Sequence, residues 1–208
     1  MIIGICGFIG SGKDTAADYL VNSHGFRRES FANSLKDAVA AVFNWDREML
    51  EGRTKQSREW REQVDPWWSN RLNMPNLTPR WILQYWGTDM LRRTFHDDIW
   101  IAALENKLRN SQDNIVISDC RFPNEIDAIR RQGGKIIWIK RGALPDWYNY
   151  AVDANLGPTH IGWALGKEYL QRNHIHPSET SWVGTEFDSE IDNNGTVDQL
   201  FAQLKSLA

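Results

Sequence analysis

The feature that most constrains this chain is a glycine-rich stretch, GFIGSGKDT at positions 7–15. The run before it, 2–6, is apolar and has the length of a strand. The segment after it spaces its apolar residues as a helix does, up to Gly25. Glycines in such a loop let backbone N–H groups converge on phosphate oxygens, and the following helix adds the positive end of its dipole. The chain is therefore predicted to open as strand, phosphate-binding loop and helix.

Two side chains in this stretch have specific expected roles. Lys13 can reach the outer phosphates of a nucleotide, and Thr15 can ligate Mg²⁺ directly or through water. The strict general pattern has Ser or Thr immediately after the lysine, whereas Asp14 stands there and the hydroxyl follows one residue later. This shift is more typical of nucleotide and small-metabolite kinases than of motor ATPases. The alternative is a glycine-rich turn without a ligand, which the lysine and its context disfavour.

Strands and helices alternate along much of the remaining chain. Continuous apolar runs at 114–119 and 135–140, and a further strand near 189–191, are typical of buried parallel strands. Helical periodicity or capping signals predict helices at 31–43, capped by Ser34, from Thr78-Pro79 onward, and at 99–108, 124–132 and 197–207. The predicted fold class is therefore α/β, with a parallel, doubly wound sheet flanked by helices.

The chain length fits one domain, 1–208, with two segments that depart from the alternation. Residues 44–100 are largely polar helix and loop with many tryptophans, and we expect a helical region that binds the phosphate acceptor. Residues 142–186 contain Pro, Gly and scattered aromatic residues without clean periodicity. We expect this second segment to be an insert or a mobile lid.

Two polar residues follow the predicted strand at 114–119. Asp119 is placed where a second carboxylate that organises Mg²⁺ commonly occurs, although a strand-end or helix-capping role is an equal alternative. Arg121 lies at the carboxyl end of the same strand, the edge where open α/β sheets bind ligands. Its guanidinium suits bidentate recognition of phosphate or carboxylate, and a structural salt bridge is the alternative.

Composition excludes several classes of function. The net charge of −3 provides no broad basic field for a nucleic-acid polymer.

The two cysteines show no metal spacing and are expected to be buried free thiols, which suits a reducing cytoplasm. Several of the 11 tryptophans fall in the middle third, where they are expected to fill a core between helices, with a base-stacking wall as the alternative.

No stretch approaches the roughly 18 apolar residues of a membrane span, so no membrane partner is expected. The first ten residues lack a basic leader and a cleavage site, and we interpret them as a strand and not as a signal peptide. A cytoplasmic location is therefore expected. The sequence leaves the oligomeric state open, with a homodimer among the options.

An ordered set of motifs across most of the chain resembles the phage-type deoxynucleoside monophosphate kinases of the P-loop kinase superfamily. The likeness is weakest at 44–75 and 142–173. The motifs are GSGKDTAADYL at 10–20, SFANSLKDAV at 30–39, TPRWILQYWGTDMLRRTFHDDIWI at 78–101, ISDCRFPNEIDAIR at 117–130, HPSET at 176–180 and DSEIDNNGTVDQL at 188–200. The phosphate loop alone is shared by many enzymes, whereas this ordered set is far more specific.

The resemblance implies a P-loop kinase fold and transfer of the γ-phosphoryl group of ATP, with Mg²⁺, to a deoxynucleoside monophosphate for phage DNA precursor supply. Lys13 and Arg121 would be catalytic, and Thr15 and Asp119 would hold the metal. The ATP-binding residues would be Gly10, Ser11, Gly12, Lys13, Asp14, Thr15 and the lid residue Arg141. The monophosphate would contact Lys36, Gln84, Thr88, Arg92, Arg121, Asn124 and Glu125.

Three other functions remain open on the sequence alone. Another P-loop kinase, acting on a sugar acid or a coenzyme precursor, would have the same phosphate loop. A nucleotide sensor would bind ATP without turnover, although the arginines at 92, 121 and 141 argue against it. A polynucleotide 5′-kinase could stack bases on the aromatic residues, but the net charge disfavours it. The sequence ranks neither the bases nor ribose against deoxyribose.

Overall fold

A parallel sheet forms from the short strands of the chain, and its central strand leads into the glycine-rich stretch. We describe the protein from a computed structural model, which covers residues 1–109 and 111–207. The described strands are β1 (Ile2–Cys6), β2 (Arg27–Glu29), β3 (Ile115–Ile117), β4 (Lys135–Lys140) and β5 (Ser189–Asp192). Their order is β2-β3-β1-β4-β5, and every pairing is parallel.

This strand order confirms the predicted fold class, an α/β P-loop kinase fold. The expected strands at 2–6, 114–119, 135–140 and 189–191 are confirmed within a few residues. The sequence patterns missed β2, because its three residues are two arginines and a glutamate at the edge of the sheet. The register pairs Gly4 of β1 with Ile117 of β3, so the segments that follow these two strands leave the same edge of the sheet side by side.

Helices account for most of the rest of the described chain, together with one π-helix at Tyr85–Phe95. The α-helices are α1 (Lys13–His24), α2 (Asn33–Phe43), α3 (Arg47–Glu51), α4 (Lys55–Arg61), α5 (Pro66–Leu72), α6 (Pro79–Gln84), α7 (Ile99–Leu108), α8 (Pro123–Arg131), α9 (Tyr148–Asn155), α10 (Trp163–Arg172), α11 (Pro177–Thr180) and α12 (Val197–Lys205). The Thr78 cap is confirmed by its hydrogen bond from Trp81 N. The Ser34 cap is wrong, because α2 already begins at Asn33, where the N–H of Lys36 bonds back to Ala32 O.

The chain divides into two compact units. The first unit comprises Met1–Ser30 and Ser111–Ala208 and contains the sheet with α1 and α8 to α12. The second unit comprises Phe31–Asn110 and contains the remaining helices, including most of 44–100. Each unit has its own buried apolar residues, so each is described separately below.

The main core of the first unit lies on one face of the sheet. Isoleucines of β1, β4 and β5 pack there with Ala16, Ala17 and Leu20 of α1 and with Leu200 and Leu204 of α12. Burial of these side chains between the sheet and the two helices holds the central strand and the start of α1 in a fixed relation. That relation fixes the direction in which residues 7–15 leave the sheet.

The opposite face of the sheet carries both cysteines, which are free and buried as predicted. Burial raises the pKa of the Cys120 thiol well above its usual value, with Cys6 as the next contribution. At Gly4, a Cβ atom would lie 2.7 Å from Ile129 Cδ1 of α8 and 2.8 Å from Ile136 Cδ1 of β4, so a larger residue there would displace the ends of these side chains. Within the described residues, no helix is long and apolar enough to cross a membrane.

Candidate functional site

The phosphate loop, residues 7–15, leads from β1 into the first turn of α1, and a hydrogen bond from Ser11 N to Phe8 O over 3.1 Å closes a turn within it. Gly12 caps the helix with φ 97°, a left-handed conformation that side-chain-bearing residues rarely adopt. A Cβ atom on Gly12 would also lie 2.4 Å from the amide nitrogen of Asn193, so the position requires glycine for two reasons. The loop is therefore shaped as a phosphate cradle at the N-terminus of a 12-residue helix.

The Lys13 ammonium group lies inside this loop. Its Nζ donates hydrogen bonds to Gly7 O over 2.7 Å and to Phe8 O over 2.8 Å. Burial, and next the positive charge of Arg121, lower the pKa of Lys13. The two cations are thus close enough to interact, which is the arrangement that an anionic phosphate would stabilise.

Ser11 presents an unsatisfied hydroxyl in the same cradle. The residue is 2% exposed. Its Oγ has no hydrogen-bond partner among the residues that the structure describes, which is costly for a buried polar atom. A phosphate oxygen placed in the loop would satisfy this donor. The orphaned hydroxyl therefore points to an anion in the cradle.

Asp14 and Thr15 lie in the first turn of α1, and their surroundings differ. Asp14 forms an ion pair with Arg28 of β2, and the same guanidinium bonds Asp18 over 2.9 Å and Ser118 Oγ over 2.7 Å. Thr15 is exposed. The carboxylate that stands in the usual hydroxyl position is therefore engaged by an arginine, whereas the shifted hydroxyl is accessible.

Asp119 and Arg121 follow β3, the strand next to β1 in the sheet. Asp119 Oδ2 accepts a hydrogen bond from Ser30 Oγ over 2.5 Å. Arg121 Nη1 lies 3.4 Å from both Ser178 Oγ and Glu179 Oε1 of α11, and its side chain is 44% exposed. The contacts of Arg121 are long, so its guanidinium keeps donors that a ligand could use.

Asn124 and Glu125 lie in the first turn of α8. Glu125 is buried, and its Oε2 accepts hydrogen bonds from Arg121 N over 2.8 Å and from Phe122 N over 3.2 Å. This carboxylate therefore fixes the backbone from which the Arg121 side chain projects. Asn124 is partly exposed beside it.

Lys36 belongs to an ion cluster of the second unit. Its Nζ donates to Glu51 Oε2 over 2.8 Å, and Arg47 pairs with the other carboxylate oxygen of Glu51 over 2.5 Å. Burial alone would raise the pKa of Glu51, but the hydrogen bonds and charges of Lys36 and then of Arg47 lower it to about 2. Lys36 is thus held by a carboxylate in the absence of a ligand.

Three candidate acceptor residues lie on α6 and the π-helix that follows it: Gln84 is the last residue of α6, and Thr88 and Arg92 lie within the π-helix. Gln84 ends α6 and is exposed, Thr88 is partly buried, and Arg92 is buried. The widened turns leave Gly87 O to accept a hydrogen bond from Trp100 Nε1 over 2.9 Å. π-Helical segments are rare and frequently occur at functional sites, so the position of these three residues is notable.

A cavity of about 370 Å³ adjoins the phosphate loop in the first unit. It is lined by Phe8, by Trp138 and Lys140 of β4, by Glu190 of β5, and by Arg141, Gly142, Leu144, Asp192 and Asn194, which follow or end those two strands. Trp138 Nε1 is buried without a hydrogen-bond partner in the described part of the chain. The cavity combines apolar walls with charged side chains at the carboxyl edge of the sheet, where ligands of α/β proteins bind.

The sequence patterns missed two residues that hold the phosphate loop. Asn193 donates from Nδ2 to Ser11 O over 2.8 Å, and Phe8 packs its ring against aromatic residues of 142–186. Asn193 lies in the motif at 188–200, so its position in that motif was the available signal. No comparable signal marks Phe8, because its partners lie in a segment without clean periodicity.

Comparison with known proteins places these features in a family. The deoxynucleotide monophosphate kinase family matches at residues 63–147. A protein of Acanthamoeba polyphaga mimivirus, provisionally named a deoxynucleotide monophosphate kinase, is 31% identical over 99% of this chain and 95% of its own length. The deoxynucleoside-5′-monophosphate kinase of Escherichia phage T5 is 27% identical over 62% of this chain and 72% of its own. The deoxynucleotide monophosphate kinase of Enterobacteria phage T4 is 22% identical over 99% and 97%.

Proposed function

This chain belongs to the deoxynucleotide monophosphate kinase family, and on that premise we propose that it transfers the γ-phosphoryl group of ATP to a deoxynucleoside monophosphate. The observation that carries the proposal is the phosphate loop before α1, which contains both the Lys13 ammonium group, bonded to Gly7 O and Phe8 O, and the unsatisfied Ser11 hydroxyl. The viral origin of the relatives supports a role in DNA precursor supply, in the cytoplasm of an infected cell.

On the donor side, the loop from Gly10 to Thr15 binds the phosphates of ATP. Backbone N–H groups and the dipole of α1 attract the β- and γ-phosphates, and Ser11 Oγ donates to a phosphate oxygen. Lys13 exchanges its bonds to Gly7 O and Phe8 O for bonds to the phosphates. Because its charge then lies beside the migrating γ-phosphoryl group, Lys13 stabilises the transition state more than the ground state.

The residues near the loop fit a magnesium ion, which prefers hard oxygen ligands and keeps several waters. Thr15 would supply an accessible hydroxyl, and Asp119 would supply a carboxylate that Ser30 orients. Bound Mg²⁺ neutralises charge on the phosphates of the donor. Asp14, which is paired with Arg28, supports the start of α1 in this proposal and binds ATP only through its backbone.

The cavity beside the loop is the proposed position of the donor base and ribose. Arg141 lines it, which supports the assignment of this arginine to ATP. Asn194 Oδ1 accepts a hydrogen bond from Gly142 N over 2.7 Å, so the segments after β4 and β5 are tied together at the rim of the cavity. Ordered segments on two sides favour a defined base position.

On the acceptor side, Arg121 binds the phosphate of the monophosphate and aligns it for in-line attack. Its neighbours Asn124 and Glu125 contribute contact and orientation, and Glu125 acts through the backbone of Arg121. For the second unit, the proposal assigns acceptor binding to Lys36, Gln84, Thr88 and Arg92, with 44–100 as the acceptor-binding region. When the acceptor binds, Lys36 would either leave its ion pair with Glu51 to contact the acceptor, or contact the acceptor while it stays paired with Glu51.

Residues 142–186 act as a lid over the donor in this proposal. Closure would exclude water, which otherwise competes as the acceptor and wastes ATP. Hydrogen exchange with and without ATP and acceptor tests this, and increased protection of 142–175 on binding is the expected result. Equal protection in both states would contradict a lid.

The experiment that tests the proposed function measures ADP formation with a panel of acceptors. The panel holds the common deoxynucleoside and ribonucleoside monophosphates, a sugar acid, a coenzyme precursor and a 5′-hydroxyl oligonucleotide. We expect turnover with one or more deoxynucleoside monophosphates and none with the oligonucleotide. Turnover with the sugar acid or the coenzyme precursor alone, or ATP binding without any turnover, would replace the proposal with one of the rival functions.

A further inference from the structure

The ring of Phe8 connects the phosphate loop to the segment at 142–186. It contacts Trp147 edge-on with 5.4 Å between ring centroids, Trp182 at 4.8 Å and Tyr148 at 6.2 Å. These rings belong to one aromatic cluster of the first unit, made of Phe8, Trp138, Trp147, Tyr148, Trp182 and Phe187. Two members of the cluster are buried, since Trp182 is 2% exposed and Trp138 is 5% exposed.

The backbone of the same residue is the point around which the loop closes. Phe8 O accepts hydrogen bonds from Lys13 Nζ over 2.8 Å and from Ser11 N over 3.1 Å. A rotation of the Phe8 peptide would therefore move the resting position of the lysine and the turn that carries Ser11. Because the ring is held by three neighbours, the aromatic cluster restricts that rotation.

We propose that Phe8 is a positioning residue, whose ring, held by Trp147 and Trp182, sets the loop geometry that Lys13 and Ser11 need to bind nucleotide phosphates. The inference rests on the proposed function only in taking the loop to bind ATP, and it requires no particular acceptor. The ordinary alternative is that Phe8 fills apolar space as Phe187 does. Phe187 is the matched comparison, since it is also partly buried and contacts Trp138 and Trp182 at 5.2 and 6.2 Å.

The first experiment compares ATP affinity, by calorimetry without acceptor, for the wild type, Phe8→Leu, Phe8→Tyr and Phe187→Leu. Leucine keeps apolar volume and removes the edge-on ring contacts, and tyrosine restores the ring. We expect Phe8→Leu to weaken ATP binding about tenfold, Phe8→Tyr to recover part of that loss, and Phe187→Leu to stay within about twofold of the wild type. Melting temperatures should fall similarly in the two leucine variants. Equal ATP affinity in both leucine variants would overturn the inference.

A double-mutant cycle gives a second test that does not alter the loop sequence. Trp147→Leu removes the edge-on partner of Phe8 and should also weaken ATP binding, and the double variant should bind no more weakly than Phe8→Leu alone. Additive losses would overturn the inference. If Phe8→Leu does not fold, Trp147→Leu against Phe187→Leu decides on its own.

The outcomes separate this inference from the proposed function. A wild-type chain that binds no ATP would overturn both. Tenfold weakening in Phe8→Leu, with no transfer to any deoxynucleoside monophosphate by the wild type, would support the positioning role and reject only the proposed acceptor. Normal transfer by the wild type, with no effect of Phe8→Leu or Trp147→Leu on ATP affinity, would reject only the positioning role.

Discussion

The side-chain amide of Asn193 donates a hydrogen bond to the backbone carbonyl of Ser11 over 2.8 Å. The two residues are separated by most of the chain, yet this bond fixes the loop at the residue before Gly12, the glycine that caps α1. Asn193 is itself 8% exposed, and its own N–H bonds Lys140 O at the end of β4. The residue that follows β5 therefore holds the phosphate loop at Ser11, in addition to the contacts of the aromatic cluster with Phe8.

Loss of this bond should weaken ATP binding. We expect Asn193→Ala to raise the KM for ATP about tenfold, because a buried hydrogen bond lost from one partner costs roughly 1–3 kcal/mol. Gln203→Ala is the control, since Gln203 bonds the backbone of Asp192 at the surface without contacting the loop. Steady-state kinetics with ATP varied is the measurement, and equal effects of the two substitutions would show that Asn193 only stabilises the fold.

The lowered pKa of Lys13 predicts a pH dependence of ATP binding. Burial, and next Arg121, lower this pKa from the ordinary value of 10.5, whereas bound phosphates would favour the charged form. Binding should therefore take up a proton at alkaline pH, and ATP affinity should fall as pH rises through the lowered pKa. The stability of the protein without ATP depends on pH in the opposite direction. The unfolded chain binds the Lys13 proton more tightly than the folded chain, so burial of Lys13 lowers the free energy of unfolding less and less as pH rises.

Calorimetric titration of ATP between about pH 8 and pH 10 measures this effect. Lys13→Arg is the informative comparison, because a guanidinium keeps its charge across that range and should give a flat profile. If the wild type were as flat as the arginine variant, the charge of Lys13 would not control ATP binding.

Arg121 is predicted to bind the acceptor phosphate. Arg121→Lys should raise the KM of the monophosphate and also lower kcat, since a point charge cannot grip two phosphate oxygens and align the acceptor. The affinity for ATP should change little. Arg130→Lys is the matched control, because Arg130 donates to Glu186 O on the exposed side of α8. A lower melting temperature with unchanged kinetic constants would assign Arg121 to the scaffold, through its contacts with Ser178 and Glu179.

Glu51 is predicted to stabilise the second unit. Its pKa of about 2 lies below its ordinary value of 4.5, so the stabilisation is present above pH 4.5 and is lost as pH falls toward 2. Glu51→Gln should lower the free energy of unfolding by about 3 kcal/mol near pH 7, since it leaves Lys36 and Arg47 without their shared carboxylate. The difference between variant and wild type should shrink on acidification.

Glu59→Gln is the control for this effect, because Glu59 pairs with Lys55 at 3.7 Å on the exposed surface. Such a pair contributes at most about 1 kcal/mol. Urea unfolding at several pH values measures both variants, and a Glu51 effect no larger than that of Glu59 would contradict the role of the ion cluster.

The sequence predicted the parts of this fold in which pattern and burial agree. Continuous apolar runs identify β1 and β4 from the sequence alone, and the strand and helix that flank residues 7–15 identify the phosphate loop. The short edge strand β2 was missed, because Arg28 is placed there for its bonds to Asp14 and Asp18 and not for burial of apolar surface. Pattern reasoning sees hydrophobic periodicity and does not see such ion pairs.

The candidate site shows the same division. The sequence placed Lys13 and Arg121 at the same edge of the sheet because parallel strands align their carboxyl ends. It did not predict that Glu125 caps the backbone of Arg121 or that Asn193 holds Ser11, because both contacts depend on three-dimensional neighbours. The role of Phe8 was equally hidden, since its partners become neighbours only when 142–186 folds.

The most direct test of the central claim follows the γ-phosphoryl group itself. The wild-type chain and Lys13→Ala are each incubated with γ-labelled ATP, Mg²⁺ and a deoxynucleoside monophosphate, and the labelled products are separated. We predict labelled deoxynucleoside diphosphate with the wild type and a rate lower by on the order of 10³-fold or more with a folded Lys13→Ala. Absence of labelled diphosphate with every deoxynucleoside monophosphate, or near-normal transfer by a folded Lys13→Ala, would contradict the account.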